Sequence, residues 1–313
     1  MNVVFLDSDS LPLSLPRPAW VRSWNDRPAT LPADVPRALV GADIVITNKV
    51  RLTRDVLQQS PNLRFICVAA SGYDCVDVTA CRDLGIAVSN VPAYSAQSVA
   101  EAVIASVFAL RRQLFAYRDA AIRRWPSSPH FCVHAQVVQD VRGAVFGIIG
   151  KGAIGQATAR LAEAVGMQVL FAERRSRRDL RPGYLAFDEV LQKSDVISLH
   201  CPLTPASHAL IGEAELARMR PGALLINTAR GQLIDEQALI VALRSGHLGG
   251  AALDVLGCEP PATTQPLLNL MHPNLIVTPH VAWASQSSLQ ALAKAITENL
   301  SAFSGGQPIN LVS

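Results

Sequence analysis

The sequence predicts an α/β protein with two domains, each built on a doubly wound parallel sheet. The chain has 313 residues, which is enough for two domains of roughly 150 residues. Half of the residues are hydrophobic and 17% are charged, as expected for large buried cores. Short apolar runs also alternate with helical stretches in two successive blocks, a pattern typical of parallel sheets covered on both faces.

The first alternating block extends from Asn2 to Val91. Four apolar runs in it are interpreted as strands: Val3–Leu6, Asp43–Thr47, Arg64–Val68 and Ile86–Ser89. The connecting helices are predicted near Pro36–Leu39, Arg54–Gln59 and Val76–Leu84. A long alanine-rich segment from Ser95 to Ala121 follows, and its length predicts a helix buried on most sides. The prolines of the segment from Trp125 to His130 end it.

The second block begins at Val145. Its predicted strands are Val145–Ile149, Gln168–Phe171, Val196–His200, Ala223–Asn227, Gly250–Asp254 and Leu275–Thr278. Helices are predicted between strands, for example at Ile154–Val165, Glu213–Met219 and Glu236–Ser245. A last helix, Ser285–Phe303, is expected to cross back onto the first domain. Residues 1–97 with 285–313 would then form a substrate-binding domain and residues 98–284 a dinucleotide-binding domain, with a ligand cleft between them.

Composition excludes several classes of protein. The net charge is +3, from 28 basic and 25 acidic residues, and the basic residues are scattered, which argues against a nucleic-acid partner. The N-terminus resembles no signal peptide and no apolar run spans a membrane, so we expect a cytoplasmic protein. The six cysteines include no CxxC pair, so we expect free thiols and no metal site.

The glycine-rich sequence Gly150-Lys-Gly152-Ala-Ile-Gly155 predicts a dinucleotide site, because it follows a buried strand and opens a helix. Gly150 permits a tight turn, Gly152 permits the backbone to approach a pyrophosphate, and Gly155 permits close packing of helix and strand. The helix N-terminus, with Ala153 and Ile154, offers free N–H groups to the phosphates.

The choice of dinucleotide depends on the end of the second strand of this block. Glu173 lies there, 18 residues after Gly155, where a carboxylate accepts hydrogen bonds from the adenosine ribose and repels a 2′-phosphate. This favours NAD. Arg174 and Arg175 keep NADP open, since an arginine at this place can bind the extra phosphate. They belong to a cluster that is either a solvated surface or a phosphate neighbour: Arg174, Arg175, Arg177, Arg178 and Arg181.

Arg230, Glu259 and His280 each follow a predicted strand, where ligands of open α/β sheets bind. The guanidinium of Arg230 presents a fork of donors matched to a carboxylate and the neighbouring carbonyl oxygen. A histidine suits transfer of a proton to that oxygen near neutral pH, and Glu259 would orient its imidazole. These groups suit the reduction of a 2-keto acid.

Further strand ends supply candidate binding residues. Thr228, Ala229, Cys201 and Pro202 are expected to line the cofactor site. Asp254 either approaches the nicotinamide amide or has a structural role. In the first domain, Ala70, Ser71 and Gly72 form either a cradle of N–H groups for a substrate carboxylate or an ordinary tight turn. Trp283 is a further candidate for contact with substrate.

With these residues identified, the chain resembles the D-isomer-specific 2-hydroxyacid dehydrogenase family over almost its whole length. The matching motifs begin with Gly72-Tyr-Asp, Asn90-Val-Pro-Ala-Tyr-Ser95, Gly147-Ile-Ile-Gly-Lys-Gly-Ala-Ile-Gly155 and His200-Cys-Pro-Leu-Thr204. They continue with Asn227-Thr-Ala-Arg-Gly231, Ala252-Leu-Asp-Val255, Glu259-Pro260 and Thr278-Pro-His-Val-Ala-Trp283. The resemblance implies an Arg230, Glu259 and His280 catalytic trio, a flavodoxin-like substrate domain, a Rossmann cofactor domain, and a homodimer formed mainly by the helix near Ser98–Tyr117.

Three segments look like the glycerate dehydrogenase/hydroxypyruvate reductase branch: Phe171–Arg175, Ala282–Ser285 and Trp125 to Cys132. Hydroxypyruvate or glyoxylate is therefore the expected substrate. Two departures bear on the pocket, namely Ala93 where glycine is usual and Ala70-Ser71 in the turn of the first domain. The alternatives are a phosphoglycerate or other 2-hydroxyacid dehydrogenase, and a non-catalytic NAD(H)-sensing protein similar to the corepressors of this fold.

Overall fold

The computed structural model describes residues 1–177 and 179–312, and the chain divides into two compact units. The first unit contains residues from Met1 to Tyr94 together with the chain from Ala284 onward, and the second contains Ser95–Trp283. Each unit has one sheet, and all the strand pairings within both sheets are parallel. The predicted fold class is thereby confirmed.

The sheet of the first unit has the strand order β2-β1-β3-β4-β5. Its strands are β1 (Asn2–Phe5), β2 (Ser23–Asp26), β3 (Ile44–Thr47), β4 (Phe65–Val68) and β5 (Ala87–Ser89). Its helices are α1 (Val35–Ala38), α2 (Arg54–Gln58), α3 (Val78–Asp83) and, near the C-terminus, α10 (Gln286–Ser304). The edge strand β2 was not predicted, because its Ser-Trp-Asn-Asp sequence is polar and mostly exposed.

The order of this first sheet reverses between β1 and β3, where ligands of such sheets ordinarily bind. Here the carboxylate of Asp7, which follows β1, fills that place. Asp7 is buried and accepts hydrogen bonds from the backbone N–H groups of Asn48 (2.9 Å) and Lys49 (2.7 Å), which follow β3. Burial raises the pKa of this carboxyl above its usual value, against the lowering effect of those hydrogen bonds.

Helix α10 packs against the sheet of the first unit. The ring of Phe303 stacks on that of Phe65 in β4, with centroids 4.3 Å apart. The buried side chain of Asn299 donates a hydrogen bond to the carbonyl of Asn90 at 2.9 Å. The last helix of the chain therefore completes the unit that the N-terminal strands begin.

The sheet of the second unit has the order β11-β10-β9-β8-β6-β7. Its strands are β6 (Val145–Ile149), β7 (Gln168–Ala172), β8 (Val196–Leu199), β9 (Leu224–Asn227), β10 (Gly250–Leu253) and β11 (Leu275–Val277). Its helices are α4 (Ala96–Arg111), α5 (Leu114–Arg123), α6 (Ala153–Ala164), α7 (Phe187–Lys193), α8 (Glu213–Arg218) and α9 (Glu236–Arg244). The order reverses between β6 and β8, so the loops after these strands flank a crevice at one edge of the sheet.

The prediction of one long helix from Ser95 to Ala121 was wrong. Gln113 has a φ of +54° in the left-handed region, and this residue separates α4 from α5. Helix α4 buries a face that includes Val103 and Val107, whereas in α5, all of which the structure describes, Ala120 alone is buried. Among the described residues, no helix combines the length and the apolar character needed to cross a membrane.

Candidate active site

The glycine-rich loop after β6 lies directly against the loop after β8. Gly150 has a φ of +108°, and a Cβ atom placed there would lie 2.6 Å from the carbonyl carbon of His200. A Cβ on Gly155 would lie 2.0 Å from the carbonyl oxygen of Gly150. Only glycine permits either approach. The predicted reasons for these two glycines therefore have direct counterparts in the packing.

Helix α6 begins in open space suited to an anion. Gly152 is its N-cap residue, and a Cβ there would meet no atom within 4 Å. The N–H groups at the start of a helix, here those of Ala153, Ile154 and Gly155, have no partner within the helix and form the positive end of its dipole. Helix N-termini of this kind bind the phosphates of a dinucleotide.

The carboxylate of Glu173, just after β7, is buried and bound to Arg181. The Nε and NH2 nitrogens of Arg181 each lie 2.7 Å from one oxygen of Glu173, and the backbone N–H of Arg174 donates to the same carboxylate at 2.8 Å. The hydrogen bonds from Arg181 are the main cause that lowers the pKa of Glu173 to about 2. Arg175 pairs with Glu215 at 2.9 Å. Arg178 lies outside the described residues.

His200 and Cys201, after β8, are not a nucleophilic pair. Nε2 of His200 lies 2.9 Å from the hydroxyl of Ser198, and burial lowers the pKa of the imidazole to about 4. Burial raises the pKa of the Cys201 thiol to about 11. Both groups are therefore neutral near pH 7. The backbone of both residues lies against Gly150 of the glycine-rich loop.

Asn227 at the end of β9 holds the loop that carries Arg230. Its side-chain amide donates to the carbonyl of Arg230 at 2.8 Å and accepts from the N–H of Ala229 at 3.0 Å. The NH1 of Arg230 donates to the carbonyl of Ala229 at 2.7 Å. The Thr228 hydroxyl is buried and has no hydrogen-bond partner among the described residues, which is consistent with a ligand that approaches this loop.

The loops of Arg230 and Glu259 are joined by a close backbone contact. A Cβ on Gly231 would lie 1.9 Å from the carbonyl carbon of Leu256, so this position requires glycine. The N–H of Leu256 in turn donates to Oε1 of Glu259 at 2.9 Å. The ends of β9 and β10 are thereby held together.

The other oxygen of Glu259, Oε2, lies 2.7 Å from Nδ1 of His280. Both side chains are partly exposed, at 23% for His280 and 35% for Glu259. The hydrogen bond to a carboxylate orients the ring and places a proton on Nδ1. Within the described chain no protein group is hydrogen-bonded to Nε2, which leaves this nitrogen for a ligand.

Asp254 at the end of β10 positions His280. Its buried carboxylate accepts from the hydroxyl of Thr278 (2.5 Å) and from the N–H groups of Val281 (2.9 Å) and Ala282 (2.9 Å). His280 itself has a φ of +54°, and Trp283 donates its indole N–H to the His280 carbonyl at 2.8 Å. Two roles were left open for Asp254, contact with the nicotinamide amide and a structural role. The hydrogen bonds of its carboxylate in this structure are those of the structural role.

The candidate turn of the first unit follows β4. The hydroxyl of Ser71 donates to the carbonyl of Val91 at 2.7 Å, and the amide of Asn90 donates to the carbonyl of Ser71 at 2.7 Å. Among the described residues, the backbone N–H groups of Ala70, Ser71 and Gly72 have no hydrogen-bond acceptor. The turn is therefore fixed by its side chains and carbonyls.

Sequence reasoning missed Asn227, Gly231 and Lys151. For Asn227, the signal in the sequence was an asparagine at the end of an apolar strand. For Gly231, the signal was a glycine that follows the polar end of a strand. The ammonium of Lys151 lies 4.4 Å from the ring centroid of Phe171 and 5.1 Å from that of Tyr184. Its signal was a cation inside the glycine-rich sequence.

The chain is similar to known proteins over most of its length. Residues 104–282 match the model of a family described as D-isomer specific 2-hydroxyacid dehydrogenase, NAD binding domain. A glycerate dehydrogenase of Methylorubrum extorquens is 42% identical over 99% of this chain and 98% of its own. A hydroxypyruvate reductase of Blautia hydrogenotrophica is 38% identical over 87% of this chain and 85% of its own.

Among solved structures, an acyclic imino acid reductase in complex with NADPH and D-Arg is similar to the whole chain. The TM-score is 0.87, the sequences are 29% identical, and each chain is covered to 100%. The similarity thus includes both units. With the family match and these two relatives, it shows that the chain is an oxidoreductase that belongs to the D-isomer specific 2-hydroxyacid dehydrogenase family.

Proposed function

We propose that this protein reduces hydroxypyruvate or glyoxylate, and in reverse oxidises D-glycerate or glycolate, with a nicotinamide dinucleotide. The observation that carries the proposal is the His280–Glu259 pair, 2.7 Å apart, with Nε2 of His280 open to a ligand. The names of two relatives, a glycerate dehydrogenase and a hydroxypyruvate reductase, support this substrate class.

The roles of the trio follow from the chemistry of the groups. Arg230 binds the carboxylate and carbonyl oxygen of the keto acid through its planar fork of donors. Nε2 of His280 donates a proton to the carbonyl oxygen, while Glu259 keeps the ring oriented. When bound, the reduced nicotinamide supplies hydride to the carbonyl carbon.

Each unit has proposed binding residues of its own. In the second unit, Gly150, Gly152 and the start of α6 from Ala153 to Gly155 would hold the pyrophosphate, and four residues of the strand-end loops would contact the rest of the dinucleotide: Cys201, Pro202, Thr228 and Ala229. In the first unit, the N–H groups of residues 70–72 would bind the substrate carboxylate. Trp283 would bound the substrate beside His280.

Absorbance of the reduced cofactor tests the function. The purified chain is mixed with NADH or, separately, NADPH, and with hydroxypyruvate, glyoxylate, pyruvate or phosphohydroxypyruvate. We expect the first two acids to be reduced with the highest kcat/KM. A higher value with phosphohydroxypyruvate would identify a phosphoglycerate dehydrogenase instead. Binding of the dinucleotide without reduction of any acid would contradict the enzyme assignment and favour a sensor.

We also propose that the chain forms a homodimer through the second unit. Large apolar side chains are exposed on α5 and the segment after it: Leu114, Phe115, Ile122, Trp125 and Phe131, the last 91% exposed. Apolar surface of this kind marks a protein–protein contact. Helix α4 and the start of α5 also contain the Ser98–Tyr117 region from which the family resemblance implies a dimer.

The dimer predicts a change of mass in one variant. Wild-type protein should have about twice the chain mass of 33.5 kDa by light scattering, whereas Ile122→Glu should have the mass of a single chain, because a buried charge costs several kcal/mol. Val40→Glu is the control, since Val40 lies in the first unit and is 81% exposed. A wild-type protein with the mass of one chain at micromolar concentration would contradict the proposal.

Finally, we propose that the protein works in the cytoplasm. All six of its cysteines are free thiols, as expected in a reducing compartment. Burial raises the pKa of Cys67 to about 12 and that of Cys81 to about 11, so these thiols are protonated and unreactive there.

A further inference from the structure

The carboxylate that favours NAD in the sequence has no capacity left for a ribose. Each oxygen of Glu173 accepts two hydrogen bonds: Oε1 from the N–H of Arg174 and NH2 of Arg181, and Oε2 from Nε and, at 3.4 Å, the N–H of Arg181. A carboxylate oxygen has about two acceptor sites. The side chain is also only 1% exposed. Glu173 therefore has no free lone pair for the ribose hydroxyls.

The same ion pair removes the repulsion of a 2′-phosphate. Glu173 discriminates against NADP only if its negative charge is uncompensated, and here the guanidinium of Arg181 lies on it in bidentate geometry. The pKa of Glu173 is about 2, with Arg181 as the main cause, so both groups stay charged at neutral pH and together contribute no net charge.

Cations remain around this neutral pair. Lys151, inside the glycine-rich loop, lies over the rings of Phe171 and Tyr184, and Arg181 lies over the ring of Tyr184 at 4.1 Å from its centroid. Phe171 belongs to β7, so Lys151 is held beside the strand that ends at Glu173. In the part of the chain that the structure describes, Lys151 and Arg174 have no carboxylate within salt-bridge distance. The end of β7 therefore has a positive net charge.

We propose that this chain selects NADPH over NADH, with Lys151 as the residue that binds the 2′-phosphate and Arg181 as the residue that withholds Glu173 from the ribose. The proposal rests on the nicotinamide-dependent function proposed above. The aromatic rings of Phe171 and Tyr184 hold the flexible lysine in place, which lowers the entropy lost when it binds a phosphate. Arg174, at the start of the following turn, is placed to assist.

Equilibrium binding without any keto acid tests the selectivity. The full chain is titrated with NADPH and with NADH by nucleotide fluorescence or calorimetry. A charge-assisted contact of about 1.5–3 kcal/mol corresponds to roughly tenfold or more in Kd, so NADPH should bind at least about tenfold more tightly than NADH. Equal Kd values, or tighter binding of NADH, would overturn the proposal.

Two variants assign the effect to residues. Lys151→Met should weaken NADPH binding about tenfold and leave the Kd of NADH unchanged, while Lys193→Met, a lysine paired with Glu189 on α7, should change neither. Arg181→Gln should free Glu173, and should therefore tighten NADH binding and weaken NADPH binding. Its control is Arg220→Gln, which removes an arginine–carboxylate pair elsewhere in the same unit, with Asp195 at 2.7 Å.

These outcomes separate the two proposals. If Lys151→Met weakens both nucleotides equally, the lysine contacts a part that both share and does not determine specificity. If the Arg181 variant fails to fold, as shown by circular dichroism, Lys151→Met alone decides. Selective binding of NADPH with no reduction of any keto acid would leave the selectivity standing and refute the proposed reaction instead.

Discussion

Replacement of His280 by alanine is expected to lower kcat by about 10²–10⁴-fold, the contribution of a well-placed general acid. The ring is oriented by Glu259 at 2.7 Å, and Nε2 is the nitrogen open to a ligand. The backbone N–H of His280 donates to the carbonyl of Asp254, and the N–H of Val281 donates to the Asp254 carboxylate. These hydrogen bonds do not involve the imidazole, so the loop should keep its conformation when the side chain is truncated. The Kd of the dinucleotide should therefore change little, which is checked by fluorescence titration alongside turnover.

A matched control distinguishes loss of a proton donor from loss of any histidine. His208 is exposed on the loop after β8, and His208→Ala should retain the wild-type kcat. If His280→Ala also retained it, the assignment of the general acid would be refuted. A fall in both turnover and dinucleotide affinity would point to collapse of the loop rather than to chemistry.

Arg230→Lys is the second large effect that we expect, a loss of about 10²–10³-fold in kcat/KM, comparable to removal of a donor that stabilises developing charge on oxygen. Lysine keeps the positive charge, but its ammonium cannot reproduce the planar, bidentate fork. The loop geometry is set by Asn227 through the backbone, so a change of side chain at 230 should leave it intact.

The separation of kcat from KM shows what Arg230 does. A rise in KM alone would indicate binding of the carboxylate in the ground state, and an equal fall in kcat and kcat/KM would indicate a contact made in the transition state. Arg220→Lys serves as the control, because Arg220 pairs with Asp195 on the surface of the same unit. An unchanged kcat/KM for Arg230→Lys would remove Arg230 from the substrate site.

The fold was predictable where burial imposes a simple pattern. The central strands are continuous apolar runs because helices cover both faces of a parallel sheet. Edge strand β2 has one free side and a polar sequence, so no such run marks it. The break at Gln113 also had no signal, because neither glycine nor proline stands at this left-handed position.

The candidate site was predictable to the extent that topology alone determines it. Parallel strands end at one edge of the sheet, so polar residues after β9, β10 and β11 had to be neighbours. The partners of each side chain could not be read from the chain. Asp254 accepts a hydrogen bond from the loop of His280, and Arg181 rather than another arginine binds the carboxylate of Glu173. Both pairings depend on tertiary contacts between separate segments, and the spacing of these residues in the sequence does not predict them.

The two sheets share one topology, but the place where the strand order reverses is built differently in each. In the second unit, glycines let the loop after β6 pack against the loop after β8 and leave open space at the start of α6. In the first unit, Asp7 places its own carboxylate against the N–H groups of Asn48 and Lys49. The carboxylate of Asp7 thus takes the place that an anion from solution would otherwise occupy. In a variant with a shorter side chain at position 7, the N–H groups that bind this carboxylate would have no acceptor. Formate or acetate from solution could bind there in its place and restore the lost order.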